Sequence, residues 1–590
     1  MKNQLENLKS IALDTGITLI TFIFFNILVT AYLLFLKVSV SVWNLVTATI
    51  LTIILLGYFA AKQEKGNKAN HFFVCAICSF LLIFSTNFLA GKIHDNSWDG
   101  NMYHKTAIGA LRDGWNPVYE DINDYKNLEV EFSEYHKYEN TYGKASWFYA
   151  ANIYTASGKI ESGKSITLIV IMATFLIFFA YISSKLKVLP AIVISLLIAL
   201  NPVIVAQIPV YYVDCLLGNC LYILILWLII YFDESFKLKK GVYSLFFIVL
   251  LTILINLKFT GLAFAGIYCM IYFLYLLYKS FKRKQFKRLL NLTYMAVAAL
   301  IVAIAMVGYS TYITNMVNHG HPMYPLFGEN KVDIMTNNQP LYFENKSPIE
   351  KFVIANFSRT ANISRASGLE AEYKLPFTFN QDEINLLSAN DTRIAGYGVM
   401  FGGILILGLV LLILASVVLF KQGKKLTIIL ANLFTGLTLF LPFVMGDIWW
   451  ARYYPQLYLI PISAIILALL TNKKVMKTLS YVIMILMIVN IYFFVSKGFE
   501  SVKNNHGFIN LDFDRLNATC AVNPNGVIYL NYTMFEGTIY NVNDYYKKYS
   551  YCDGVEFKHL HFTSENRLKF LVDKEFYPIQ YGFIEVIVEK

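Results

Sequence analysis

Long apolar runs alternate with short polar breaks along almost the whole chain. A run of about 18 or more apolar residues can cross a ~30 Å hydrocarbon core as a helix. Thirteen such runs are read, near 16–36, 43–61, 71–90, 163–184, 187–206, 215–232, 242–256, 261–279, 290–314, 395–420, 426–445, 455–470 and 478–496. Those at 242–256 and 455–470 are short and also fit half-spans or re-entrant segments. The first run is too long for a signal peptide and lacks a small-residue cleavage site, so a retained helix is expected. The pattern predicts an all-α polytopic membrane protein of about 13 transmembrane helices.

Three longer polar stretches interrupt this pattern, at 91–162, 315–394 and 497–590. In the first, Ala107, Ile108 and Leu111 share one helical face, Gly114 is a helix stop and Asn116-Pro117 a turn. In the second, Ser347-Pro348-Ile349-Glu350 reads as a capping box with Pro in the first turn. Phe352, Val353 and Phe357 then form an apolar face, predicting a helix on the membrane surface. The tail has β-prone runs, Gly526–Tyr532 and Tyr581–Val588, between Asn/Gly/Asp turns. The expected organisation is an N-terminal two-helix addition (1–70), a transmembrane module (71–497) and a small C-terminal α/β extracytoplasmic domain (498–590). There is no internal repeat and no low-complexity stretch.

Composition excludes a soluble enzyme or a disordered chain. The 590 residues are 57% hydrophobic and 15% charged, against about 45–50% and about 25% in soluble domains. The net charge of +11 raises nucleic-acid binding as an alternative, and the placement of the charges decides against it. With a cytoplasmic N-terminus, the inside segments hold about 22 Lys and Arg, and the short outside loops only Lys37, Lys258 and Arg452. That asymmetry is the positive-inside pattern. It predicts no nucleic-acid partner, a plasma-membrane protein surrounded by lipid, and three exported long segments including the C-terminus. Segment 91–162 carries eleven carboxylates against seven Lys and Arg. Of the seven cysteines, Cys75-x-x-Cys78 lies in a predicted helix without a His partner, which disfavours metal or redox use, and Cys520 and Cys552 in the tail either pair or stay free.

Candidate chemistry lies where exported segments meet the spans. Asp95 and Asp99 follow the third span directly, with Tyr103 and His104 one turn after Asp99. A carboxylate there can serve as a general base for a hydroxyl, or Asp99 is only a helix N-cap. Asp214 stands at the same face, after Asn201-Pro202, and either positions a substrate, holds a metal or is simply solvated. Lys258 in the turn Asn256–Gly261, and Arg452 in Trp449-Trp450-Ala451-Arg452-Tyr453, are isolated outside cations. They suit an anionic lipid headgroup, or else snorkel beside an aromatic belt of Trp449 and Trp450. No Walker loop, dinucleotide fingerprint, metalloprotease motif or G-x-S-x-G elbow occurs. The inside loops are too short for a nucleotide-using domain, so a substrate must come from the membrane or from outside.

Over roughly residues 71–470 the chain resembles the GT-C superfamily of integral-membrane glycosyltransferases, which take sugars from polyprenyl-phosphate carriers. The resemblance rests on Trp98-Asp99 with Tyr103-His104, Asp214 after Asn201-Pro202, the turn Asn256–Gly261, His321-Pro322-Met323-Tyr324-Pro325-Leu326, and Arg452-Tyr453 before a late span. It implies that residues 71–497 form a catalytic module with Asp99 as the base and Asp95 its rival. It further implies that Arg452, with Lys258 and Tyr453, meets the donor phosphate, while Tyr103, His104 and Asp214 support the site. The implied partners are a polyprenyl-phosphate-linked sugar donor and a glycan, lipid or protein acceptor, with no cofactor and no divalent cation indicated. Two departures stand out: the acidic loop follows the third span rather than the first, and Trp449-Trp450 is followed by Ala451 rather than Asp. The second disfavours the metal-dependent oligosaccharyltransferase branch. A repeat-unit polymerase, a flippase for lipid-linked glycans and a non-catalytic scaffold are the alternatives, although transporters typically show repeats and midplane charges that this chain lacks.

Overall fold

The computed structural model describes residues 2–62, 67–125, 136–236, 238–334, 338–446, 448–522, 526–531, 535–549, 555–560, 574–578 and 585–589. Among them, 11 helices are long and apolar enough to cross a membrane, and Val188–Ala199 and Pro455–Leu470 are shorter apolar helices. The chain is a mainly helical, multi-pass membrane protein.

The expected run 187–206 is broken. Its helix ends at Ala199, and Asn201 then caps a separate short helix, Pro202–Ala206, accepting from the Val203 and Ile204 amides. Twelve residues reach only about 18 Å, so this helix does not cross a ~30 Å core by itself. The run at 242–256, short in the sequence, forms an 18-residue helix, Lys240–Leu257. The run at 290–314 is a helix, Lys287–Leu300, that widens into π-type turns over Ile301–Val307 and Tyr309–Ile313. The Asn256 amide enters the widened turn, donating to Ala303 O at 2.8 Å.

The helix Lys2–Phe35, first of the two in segment 1–70, lies deep in the bundle, with Ile17, Ile20, Ile23 and Ile27 fully buried. A buried polar chain holds it. Asn152 donates to Asn26 Oδ1 and Thr30 Oγ1, and Asn44 of the second helix donates to Thr30 Oγ1 at 3.3 Å. Polar pairs of this kind fix helix register where burial of apolar surface alone is non-directional. Cys75 does have a histidine neighbour. His71 Nε2 is 3.6 Å from its sulfur and 2.8 Å from Asp14 Oδ2.

The segments 91–162 and 315–394 and the tail gather at one end of the bundle. The helix Pro348–Phe357 forms with the expected capping box, Ser347 N–H donating to Glu350 Oε2 at 2.7 Å. It buries Ile354 and Ala355, rather than Phe352 and Val353, against Phe343, Ile363, Ile394, Trp449 and Trp450. Trp449 and Trp450 are therefore the core of this loop layer, 3% and 2% exposed, and not an aromatic belt.

The last span-length helix among the described residues, Lys474–Val522, runs unbroken through the expected boundary at 498 for 49 residues, about 74 Å. Its far end packs Ile509, Phe513 and Leu516 against Ile528, Leu530 and Val542. Beyond it, among the described residues, stand four strands, β1 (Val527–Asn531), β2 (Glu556–Leu560), β3 (Lys574–Pro578) and β4 (Glu585–Glu589), in the order β2-β1-β4-β3. β1 and β2 are parallel, joined across the helix Thr538–Tyr549, while β4 runs antiparallel to β1 and β3. That helix docks onto the first long loop. Gly109 lies so close to Tyr540 that a Cβ would fall inside the ring, and Asp544 accepts from Tyr154 Oη and the Ile160 amide, both at 2.7 Å. Pairing of Cys520 with Cys552 lies outside the described residues, because Cys552 does.

Candidate functional site

Arg452 organises the site. It lies in a single 3-10 turn, Ala451–Tyr453, between the buried Trp450 and Pro455, and its side chain is 9% exposed. Three carboxylates from three distant parts of the chain surround the guanidinium. Nη2 donates to Asp99 Oδ2 at 3.1 Å and Nη1 to Asp391 Oδ2 at 3.4 Å. Nε lies 3.0 Å from Asp214 Oδ2 at an angle that makes an ion pair, and its N–H forms no hydrogen bond among the described residues. Tyr212, Trp450 and Tyr453 rings flank the guanidinium carbon at 4.6, 4.7 and 5.1 Å, a cation–π enclosure suited to Arg.

Each partner is delivered by local structure. Asp99 stands just before the widened turn Gly100–His104 that leads into the helix Lys105–Asp113. It is not the helix cap. That bond comes from Ser97, whose hydroxyl accepts from the Gly100 amide at 3.1 Å. Asp99 is thereby freed for other contacts. Its Oδ1 has no hydrogen-bond partner among the described residues, and the side chain is 23% exposed. Asp214 occupies the first turn of the helix Asp214–Phe232, where the helix dipole favours an anion. Both its oxygens are engaged, Oδ1 with Lys258 Nζ at 2.6 Å and Oδ2 with Arg452. Lys258 lies in the one-residue break between the helices Lys240–Leu257 and Phe259–Arg283, its ammonium 4.3 Å from the Tyr453 ring centre. Solvation alone therefore does not describe Asp214, nor does snorkelling describe Arg452.

Asp391 was missed by the sequence reading. Its backbone carbonyl accepts from Trp450 Nε1 at 2.9 Å, which sets the loop against the Arg452 turn. The available signal was position: like Asp99 and Asp214, it is an acid a few residues from an apolar run. Burial raises the Asp391 carboxyl above its ordinary range, with the Arg452 charge opposing. Three carboxylates face two cations, a formal charge of −1 that a proton on Asp391 would cancel. Among the described residues no three His, Cys, Asp or Glu side chains are grouped as metal ligands; the carboxylates ring a guanidinium instead.

Tyr103 adjoins this cluster with Tyr138 and Tyr142 at ring separations of 5.5 and 6.0 Å, and burial raises its phenol well above the ordinary value, so it stays protonated. His104 lies behind Tyr103, 3% exposed, and accepts from Trp147 Nε1 at 2.7 Å through Nδ1. Burial lowers it to about 3, so the ring is neutral and its remaining proton is on Nε2.

Asp95 belongs elsewhere. Its oxygens accept the Ser97 amide at 2.7 Å and the Tyr211 amide at 2.8 Å, and its side chain is buried. It faces a second charged group in which Glu161 pairs with Lys105 at 2.9 Å and Lys164 at 2.6 Å. Asn541 of the tail joins this group, donating to Glu161 Oε1 and accepting from Lys105. Of the sequence candidates, Asp99, Asp214, Lys258, Arg452 and Tyr453 thus meet, Tyr103 borders them, and Asp95 and His104 are packed behind.

The cluster combines a carboxylate having an open oxygen with a guanidinium having an unused donor, side by side at the end of a membrane bundle. Such a pair can accept a proton at one point while stabilising negative charge at another. Compared with known proteins, the chain matches no protein-family model, and no curated protein matches it.

Proposed function

We propose that this chain is an inverting glycosyltransferase that moves a sugar from a polyprenyl-phosphate carrier to an acceptor hydroxyl on the exported face of a bacterial plasma membrane. The observation that carries this reading is the meeting of Asp99 and Arg452 at 3.1 Å across 353 residues of sequence. In the reaction, the acceptor oxygen attacks the anomeric carbon as its proton passes to Asp99 Oδ1. The bond from that carbon to the phosphate oxygen breaks, and its electron pair leaves with the polyprenyl phosphate. Arg452 receives the departing phosphate by exchanging part of its carboxylate shell for phosphate oxygens, beginning with the unused Nε–H. Lys258 adds a second cation, and Asp214, engaged on both oxygens, holds the two cations in place. Charge development in a site shielded from water is where such pre-set donors act most strongly. Tyr103 and its tyrosine neighbours border the space for the sugar. The acceptor is a cell-surface glycan, a lipid or a protein.

The test is binding of polyprenyl phosphate, the common product, by purified protein in detergent. Wild-type protein should bind it, Arg452→Lys more weakly because an ammonium lacks the bidentate fork, and Lys258→Ala more weakly as well. Equal binding by all three would overturn the reading.

A further inference from the structure

A cavity of about 510 Å³ lies at the other end of the helix Asp214–Phe232 from the Arg452 cluster. This volume falls in the range of small-molecule sites, about 300–1,000 Å³. Its walls are apolar, with Phe178, Ile225, Ile229, Phe434, Ile462 and Ile466 among them. Its mouth is polar, made by Lys185, Asp233, Glu234, Ser235 and Lys424 at helix ends. From Phe232 at the mouth to Tyr222 at the inner end is ten residues of one helix, about 15 Å deep. That is half of a ~30 Å hydrocarbon core, the depth of one leaflet. Tyr222 lines the inner end, its hydroxyl donating to Pro455 O at 2.6 Å and accepting from Asn201.

The charges at the mouth are not equivalent. Lys185 is neutralised by Asp233 at 2.5 Å, which Tyr181 also contacts. Glu234 on the same rim pairs with Arg288 at 3.5 Å, whereas Lys424 donates to the Leu470 carbonyl, at 2.9 Å, and has no carboxylate partner among the described residues. An uncompensated ammonium at the rim of an apolar slot one leaflet deep matches an amphiphile with a phosphate at its head. We infer that this cavity is a phospholipid site: Lys424 holds the phosphate of a glycerophospholipid drawn from the surrounding leaflet, and one acyl chain fills the slot between the helices Ser165–Ile182, Asp214–Phe232, Lys425–Val444 and Leu459–Leu470. A polyprenyl chain, much longer than one leaflet, does not suit a slot whose lining spans about 15 Å of this helix. The site is independent of the glycosyltransferase reading.

The experiment is native mass spectrometry of the detergent-purified full chain after delipidation, titrated with phosphatidylglycerol or with diacylglycerol of the same chains. Wild-type protein should retain one phospholipid and no diacylglycerol. Lys424→Ala, at the exposed rim, should weaken retention at least several-fold. Ser463→Trp, which fills the slot, should abolish it with the rim intact. Equal retention of diacylglycerol, an unchanged affinity in Lys424→Ala, or displacement by polyprenyl phosphate at equal concentration would overturn the site. So would an equal loss in Lys425→Ala, which would mark a general basic surface.

Discussion

Replacing Asp99 by Asn separates chemistry from binding, because the structure predicts opposite effects on the two. The substitution removes the proton-accepting charge but keeps a carbonyl oxygen that can still receive the Arg452 Nη2–H now donated to Asp99 at 3.1 Å. Breaking a buried ion pair costs about 3–5 kcal/mol when it strands a charge, and an exposed pair is worth about 0–1 kcal/mol. Here Arg452 keeps Asp214 at 3.0 Å and Asp391 at 3.4 Å, so no charge is stranded. The expected loss of stability is about 1 kcal/mol or less. The formal charge of the cluster rises from −1 to neutral, so polyprenyl phosphate should bind as well as before or more tightly. Loss of a general base, in contrast, lowers rate by about 10²–10⁴-fold, or about 3–5 kcal/mol on the barrier. The assay uses membranes from expressing cells, a panel of radiolabelled polyprenyl-phosphate hexoses and pentoses, and counts label moved from the donor to any other product, with lipid products resolved from the donor by chromatography. Binding is read in parallel with unlabelled polyprenyl phosphate. The reasoning is refuted if Asp99→Asn transfers within a few-fold of wild type, and Asp391 becomes the base if Asp391→Asn then loses transfer.

Asp95→Asn presents an NH2 to one of the two backbone amides that Asp95 now accepts, which should cost about 1–3 kcal/mol; melting in detergent should show this, with transfer per folded molecule within a few-fold of wild type. Burial lowers His136, yet the carboxylates of Glu139 and Glu536, each 3.5 Å from a ring nitrogen, raise it to about 10, while burial takes Glu139 up to about 7. Because the folded value lies above the ordinary ~6.5, this tie between the first loop and the tail is full below about pH 6.5 and lost as pH rises through about 10. The protection factors of amides 535–545, with the intrinsic base-catalysed rate divided out at each pH, should therefore fall across that window in wild type and fall less in His136→Gln. A tag after Lys590 should be reachable only from outside intact cells and one in 280–289 only from inside; equal access to both would break the charge-based orientation.

What the sequence determined by itself was set by local patterning. Apolar run length and Lys/Arg placement need no knowledge of neighbours, since each helix satisfies its own backbone in lipid. Hence the membrane class, most span positions, the Ser347 capping box and the Gly114 stop, where φ is +114°, are legible. The break after Ala199 was also written in the sequence, at Asn201-Pro202, but the apolar run masked it. Tertiary structure alone decided how charges were paired. Whether Asp99 caps a helix or faces a cation depends on Ser97 taking the cap and Arg452 arriving from 353 residues away. Whether Trp449 and Trp450 face lipid or a protein core depends on the loop layer folded over them. Asp391 carries no motif, and it reaches the guanidinium through the loop that Trp450 holds by donating to the Asp391 and Thr392 carbonyls. Hydropathy is a property of each residue and its near neighbours. A charge pair is a property of two distant residues, and in a poorly solvated site it is the partner, not the residue, that sets the chemistry.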